Sequence, residues 1–282
     1  MANPLVRDLV MTVYDAGAGA YYSLARSVGL VDFPVPPMSN MRKTSSPSVN
    51  HYLETAVKTA LPIQMAARLA GYHFDPGSRV LDFGAGVGRQ IMYFRDRFPK
   101  VEYHACDVEP SHVSWLARAY PDVTTRINSY APPLDYPADS FDMVYSVASY
   151  THMEPDACDA WLDEFARILK PGGIVCLTVI GVAAMRKFAA WFDEADVARL
   201  EARGFHHTDY DIAASRDVAS KRRFLKYTEY LAHCGEHYGQ TFFTRRHIER
   251  AWPQPGLELV DIAEGVVDDL QDLVILRKQA AS

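Results

Sequence analysis

Three glycines stand at alternate positions in the stretch VLDFGAGVGRQ, residues 80–90: Gly84, Gly86 and Gly88, with Ala85 after the first and Asp82 two residues ahead. Glycine gives up more backbone entropy on folding than any other residue, so this density implies a bend lying against something that leaves no room for side chains. In an open parallel sheet, ligands bind beyond the carboxyl ends of the strands, where the loop after the first strand lies. Dinucleotide sites use Gly-x-Gly-x-x-Gly there to bring a helix N-terminus onto a pyrophosphate. The Gly-x-Gly-x-Gly of this chain points to a ligand without phosphate and disfavours a nicotinamide-dependent oxidoreductase. About 20 residues further on, a carboxylate at a strand end can accept hydrogen bonds from both ribose hydroxyls; Asp107 of VEYHACDVEP stands there. Bend and carboxylate together specify a nucleoside held by its sugar.

More chemistry-bearing residues gather between 205 and 246. His233, Glu236 and His237 follow the His-x-x-Glu-His order of some zinc peptidases, but Gly235 in their midst is a poor helix residue. His206, His207, Asp209 and Asp211 offer ligands for Mg²⁺ with a sugar diol; a solvated polar loop is the plainer reading. Residues 221–224, KRRF, with Arg245 and Arg246, would suit an anionic acceptor or a wet helix face. Aromatic residues are dense here: Tyr210, Tyr227, Tyr230 and Tyr238, with Phe224, Phe242 and Phe243. Such side chains stack on flat or sugar-like molecules, and they also fill ordinary cores.

The elements that must position these residues follow from periodicity. Residues 3–28 and 51–71 repeat at helical spacing, with Leu53, Val57, Leu61, Met65 and Leu69 four apart on one face. Between them a loop rich in proline and serine is placed to cover a site, and Tyr52 is a candidate to close over the ligand. From residue 79 short apolar runs alternate with amphipathic stretches, as in a parallel sheet with crossover helices. Strands are expected at 79–83, 101–106, 123–128, 141–147 and 174–180, followed by a terminal hairpin of LELVDIAEG and QDLVILRK. ACDAWLDEFARILKPGG reads as an amphipathic helix stopped by Lys170, Pro171 and a glycine pair. Some 60 residues before the hairpin are too long for an ordinary connection and imply an inserted cap. The chain therefore divides into a helical cap and lid loop (1–72), an α/β core (73–181), an inserted cap (182–242) and the last helix and hairpin (243–282).

Composition excludes several classes. The 282 residues are 49% hydrophobic and carry a net charge of −6, which disfavours a nucleic-acid partner. No apolar stretch approaches the roughly 20 residues of a membrane span, and the charged N-terminus is unlike a secretory signal. Cys106, Cys158, Cys176 and Cys234 form no Cys-x-x-Cys pair and read as reduced core thiols of a cytoplasmic protein. A homo-oligomer stays open.

VLDFGAGVGR, DVEP, LDYPADSFDMVYSVASYTHM and ARILKPGGIVCLTV, in this order and spacing, resemble the motifs of Rossmann-like S-adenosylmethionine-dependent methyltransferases. The resemblance implies a doubly wound, mostly parallel seven-stranded sheet with a C-terminal antiparallel hairpin, and S-adenosylmethionine as cofactor. It implies that Gly84, Gly86 and Gly88 admit the methionine and ribose portions, that Asp82 orients the loop or receives the amino group, and that Asp107 takes the ribose beside Val108 on the adenine. Where many members carry an acidic residue after the third strand, this chain has Ser129 and Tyr130. Residues after the fourth strand lie beside the methyl group in such a fold, so His152 is the candidate base, its imidazole titrating near neutrality, and Tyr150 shapes the acceptor pocket. A packing or capping role for His152 is the alternative. The expected activity is methyl transfer to a hydroxyl of a sugar or natural product, with N-methylation, or cofactor binding without transfer by a sensor or assembly protein, as alternatives. A divalent metal is left open.

Overall fold

Alternating periodicities from residue 79 become strands and crossover helices. The computed structural model describes residues 33–44, 46, 48–209, 234, 238–254 and 256–280. A short helix α1 (Met38–Lys43) and a long helix α2 (Val49–Leu69) precede β1 (Arg79–Phe83), α3 (Arg89–Arg97), β2 (Glu102–Asp107), α4 (Pro110–Ala119) and β3 (Thr124–Ile127). Next come β4 (Phe141–Ser146), a 3₁₀ turn (Tyr150–His152), α5 (Pro155–Ile168), β5 (Leu169–Val179), α6 (Val182–Lys187) and α7 (Glu194–Arg203). The chain ends with β6 (Phe205–Asp209), β7 (Gly239–Phe243), α8 (Arg245–Ala251), β8 (Leu257–Val267) and β9 (Gln271–Lys278).

Seven strands form one sheet in the order β3-β2-β1-β4-β5-β9-β8. β1 to β5 pair in parallel, and β9 runs antiparallel to both β5 and β8. Strand order reverses at β1, with β2 on one side and β4 on the other, so a crevice opens beyond its carboxyl end. Alternation along β1 feeds two apolar layers. Leu81 and Phe83 join Trp161, Phe165 and Trp252 on one face, while Val80 joins Ile63, Phe94 and Tyr145 on the other.

Two sequence expectations are corrected by the structure, and a third point, left open between a pocket and a core, is decided for the core. Val57, Leu61, Met65 and Leu69 mark α2 in the sequence, yet they are exposed, Leu69 to 87%. The buried face is Tyr52, Ala56, Ala60, Ile63 and Ala67 with Thr55 and Thr59. Its alanines let the helix lie close on the sheet, so α2 is a layer of the core and not part of a cap. Second, α5 ends at Ile168, ahead of its stop signals, because Leu169 already pairs with Phe141 of β4 and sheet pairing takes the chain over. Third, Phe242 and Phe243 are packed inside the protein, Phe242 against Met185 and Leu200. All four cysteines are unpaired and buried. The expected helix at 3–28 lies outside the described residues, as does most of the segment 210–237.

β6 and β7 form a separate two-stranded antiparallel sheet. β7 grips the 3₁₀ turn and the residue after it at three points. His152 Nδ1 lies 2.9 Å from Gly239 O, Gln240 Nε2 donates to Thr151 O at 3.1 Å, and Thr241 Oγ1 donates to Met153 O at 2.5 Å. Among the described residues, no helix is long and apolar enough to cross a membrane.

Candidate functional site

The bend after β1 is held from two sides. Gly84 adopts φ +74°, and a Cβ there would lie 2.0 Å from Ser149 Oγ; Gly86 adopts φ +55°, and its Cβ would lie 2.8 Å from Thr44 Cγ2. Left-handed backbone and absent side chains are therefore both required at these positions. Asp107, at the end of β2, accepts the Gly86 N–H through Oδ2 at 2.7 Å and the Glu109 N–H through Oδ1 at 2.8 Å. A third group, His112 Nδ1, lies 3.4 Å from Oδ1; a carboxylate has about four lone-pair sites, so capacity for a ribose hydroxyl is left. The expected juxtaposition of carboxylate and bend is present.

A cavity of about 340 Å³ opens here, and Gly84, Ala85, Gly86, Asp107, Val108 and Tyr130 line it. Three residues expected at the ligand do not. Gly88 starts α3 with φ +80° and packs on Leu116, where a Cβ would come within 2.5 Å of Cδ2. Ser129 is outside the lining, its place taken by Asn128. Asp82 is buried beneath the bend, where Tyr145 Oη donates to Oδ2 at 3.1 Å. Burial pushes its carboxyl up to about 8, against that hydrogen bond, and the Asp107 charge adds to the rise. Asp82 thus supports the bend from below and does not line the cavity.

Sequence reasoning missed the wall that α2 supplies. His51, Thr55 and Thr59, four apart, line the cavity. Each threonine hydroxyl donates to the carbonyl one turn back, then accepts from α3: Arg89 to Thr55 at 3.2 Å and Gln90 to Thr59 at 2.7 Å. Polar residues at helical spacing opposite an apolar stripe were the available signal. Lys43 of α1 reaches Ser111 Oγ at 3.1 Å and Glu109 at 3.2 Å, so the proline-rich segment is strapped over the bend. Tyr52 is fully buried with its hydroxyl 3.5 Å from Val87 O; it props this strap and is not among the lining residues.

The opposite wall is the segment 147–153 after β4. Ala148 takes φ +61°, with its N–H held by Thr178 Oγ1 at 2.7 Å. Such a conformation costs about 1–2 kcal/mol outside glycine and is found where a site over-determines it. His152 and Tyr238 line the cavity and stack, with centroids 5.0 Å apart. Tyr150 is corrected: it is fully buried, donates to Cys158 O at 3.1 Å and packs edge-on against Trp252, so it belongs to the core. Tyr210, Phe224, Tyr227, Tyr230, the basic run 221–223, Asp211 and the His233, Glu236, His237 group lie outside the described residues. Arg245 pairs with Glu249 and Glu264 and is not among the residues lining the cavity.

Comparison with known proteins agrees with this geometry. A family model described as a methyltransferase domain matches residues 50–262. A malonyl-acyl-carrier-protein O-methyltransferase of Halorhodospira halophila (strain DSM 244 / SL1) is 30% identical over 57% of this chain and 55% of its own length. A sterol 24-C-methyltransferase of Yarrowia lipolytica (strain CLIB 122 / E 150) is 30% identical over 36% of this chain and 27% of its own. The chain thus spans about half the length, or less, of these curated relatives. In fold it is similar to the crystal structure of an S-adenosylmethionine-dependent methyltransferase from Clostridium acetobutylicum ATCC 824, with a TM-score of 0.51 at 12% identity, over 79% of this chain and 92% of that one. A cavity at the switch point of the sheet, floored by a glycine bend and a strand-end carboxylate, fits a nucleoside cofactor, and the family match spans that whole region: the chain belongs to the methyltransferase-domain family of Rossmann-like, S-adenosylmethionine-dependent proteins.

Proposed function

We propose that the chain transfers a methyl group to a hydroxyl of a polar small molecule, a sugar or a natural product, with His152 as the base. One observation carries the reading: His152 Nδ1 lies 2.9 Å from Gly239 O. A carbonyl only accepts, so Nδ1 bears the hydrogen, and the neutral ring keeps its lone pair on Nε2, the form a general base needs. The stack on Tyr238 holds the ring in that orientation.

The cofactor, when bound, supplies a methyl group on a positively charged sulfur. The chain supplies position. Asp107 would accept from the ribose, the bend at Gly84 to Gly86 would lie against the sugar and methionine, Val108 and Tyr130 would flank the adenine, and Arg89, which lines the cavity, would face the methionine carboxylate. Aligning acceptor and donor is worth about 7–11 kcal/mol of barrier. Proton removal by His152 adds about 10²- to 10⁴-fold, or ~3–5 kcal/mol. Similarity to an O-methyltransferase supports oxygen as acceptor, whereas similarity to a C-methyltransferase supports only the family.

The test is His152→Ala. Affinity for S-adenosylhomocysteine should stay within about twofold while turnover on hydroxylated acceptors falls about 100-fold or more. Near-normal turnover would remove the base and favour an amine acceptor, which is nucleophilic without one. Cofactor binding with no turnover by the wild type on any acceptor of a broad panel would favour a sensor.

A further inference from the structure

Beside β7, three ligating side chains that do not line the cavity converge. His207 and Asp209 share a face of β6, with His207 Nε2 at 3.0 Å from Asp209 Oδ1, and a carboxylate oxygen of Glu154 lies within 4.8 Å of both. His206, on the alternate face, turns instead toward Asp196 and Thr208. Proton inventory makes the cluster informative. Thr241 Oγ1 has one hydrogen and donates it to Met153 O at 2.5 Å, so at 2.6 Å from His207 Nδ1 it must accept, and Nδ1 carries the ring hydrogen. Nε2 of a neutral His207 then presents a lone pair to the Asp209 carboxylate, an arrangement that only a second proton or a cation between them makes favourable.

We propose that Glu154, His207 and Asp209 form a site for a divalent first-row transition cation. Two ligands about 2.1 Å from a metal at right angles are about 3.0 Å apart, which is the spacing of Nε2 and Oδ1. The Nδ1–H to Thr241 bond is the outer-shell contact that fixes a ligating histidine in the required tautomer. Gly239 supplies the space: a Cβ there would lie 2.8 Å from His207 Nε2. One imidazole with two carboxylates suits Mn²⁺ or Zn²⁺ better than Mg²⁺, which prefers oxygen alone. The same Gly239 turns its carbonyl to His152, so the site and the candidate base share a strand residue.

Isothermal titration of chelator-treated full-length protein with Mn²⁺ and with Zn²⁺ tests the site, with Mg²⁺ as the comparison. One ion per chain should bind at micromolar concentration, Mg²⁺ far more weakly. His207→Gln and Asp209→Asn should each weaken binding at least tenfold, and Thr241→Val, which leaves all three ligands in place, about tenfold. Retained affinity for S-adenosylhomocysteine reports that the variants are folded. Absence of Mn²⁺ and Zn²⁺ binding below millimolar concentration in the wild type, or undiminished binding in the His207→Gln, Asp209→Asn double variant, overturns the proposal and leaves a protonated His207 clamped by the carboxylates.

Discussion

The two walls of the cavity are made differently. The cofactor wall is local: Gly84 to Gly86 and Arg89 come from one loop and the helix after it, and Asp107 reaches that loop across a single pair of neighbouring strands. The wall we propose for the acceptor is assembled from distant parts of the chain, with His152 on a 3₁₀ turn held by Gly239, 87 residues away. The first wall repeats a solution that any member of the family needs, because the nucleoside does not change. The second depends on where β7 lies against the turn after β4.

Substitutions on either side should therefore separate binding from turnover. The largest effect belongs to Gly84→Val, which demands a left-handed β-branched residue and puts Cβ 2.0 Å from Ser149 Oγ. Cofactor affinity measured by calorimetry should fall more than about 100-fold, a loss of at least ~2.7 kcal/mol. On the other wall, Gly239→Ala directs a Cβ to 2.4 Å from Thr208 O. That atom is backbone, so β7 must shift, and the hydrogen bond to His152 shifts with it. Steady-state kinetics should show a tenfold or greater fall in kcat, in keeping with the cost of misplacing a reacting group, while affinity for S-adenosylhomocysteine changes little. Equal losses of affinity in both variants would erase the distinction between the walls.

A different effect concerns stability. Asp82 has its carboxyl raised to about 8 by burial, from an ordinary value near 3.9. Between those values the folded chain keeps a proton that the unfolded chain has released, so stability falls as pH rises through this window, by up to ~1.4 kcal/mol per pH unit, and levels off above it. Asp82→Asn should flatten this fall in urea melts recorded from pH 5 to pH 8.5. An unchanged slope would mean that Asp82 does not carry the proton.

What the sequence disclosed follows the same division. β1 lies at 79–83 as read, because a buried strand ending in a glycine bend is specified by consecutive residues. α2 was legible as a helix but not in its orientation. Val57, Leu61, Met65 and Leu69 face out, and Ala56, Ala60 and Ala67 with Tyr52, Ile63 and two threonines face in, because close approach to the sheet and a polar cavity wall outweighed apolar burial there. Tyr150 and His152 are two apart in one motif, yet one turns into the core against Trp252 and the other lines the cavity. Only the path of β7, set by pairings far along the chain, separates them. The Glu154, His207, Asp209 cluster was half visible: His207 and Asp209 stand out at strand spacing, but Glu154 comes from a different part of the chain.

Asp107 bears most directly on the central claim, because its carboxylate both holds the Gly86 N–H at 2.7 Å and is assigned the sugar. Calorimetric titration of S-adenosylhomocysteine into the wild type and into Asp107→Ala should give micromolar binding in the first and at least about 100-fold weaker binding in the second. No heat with the wild type, or equal affinity in the two proteins, would contradict the account.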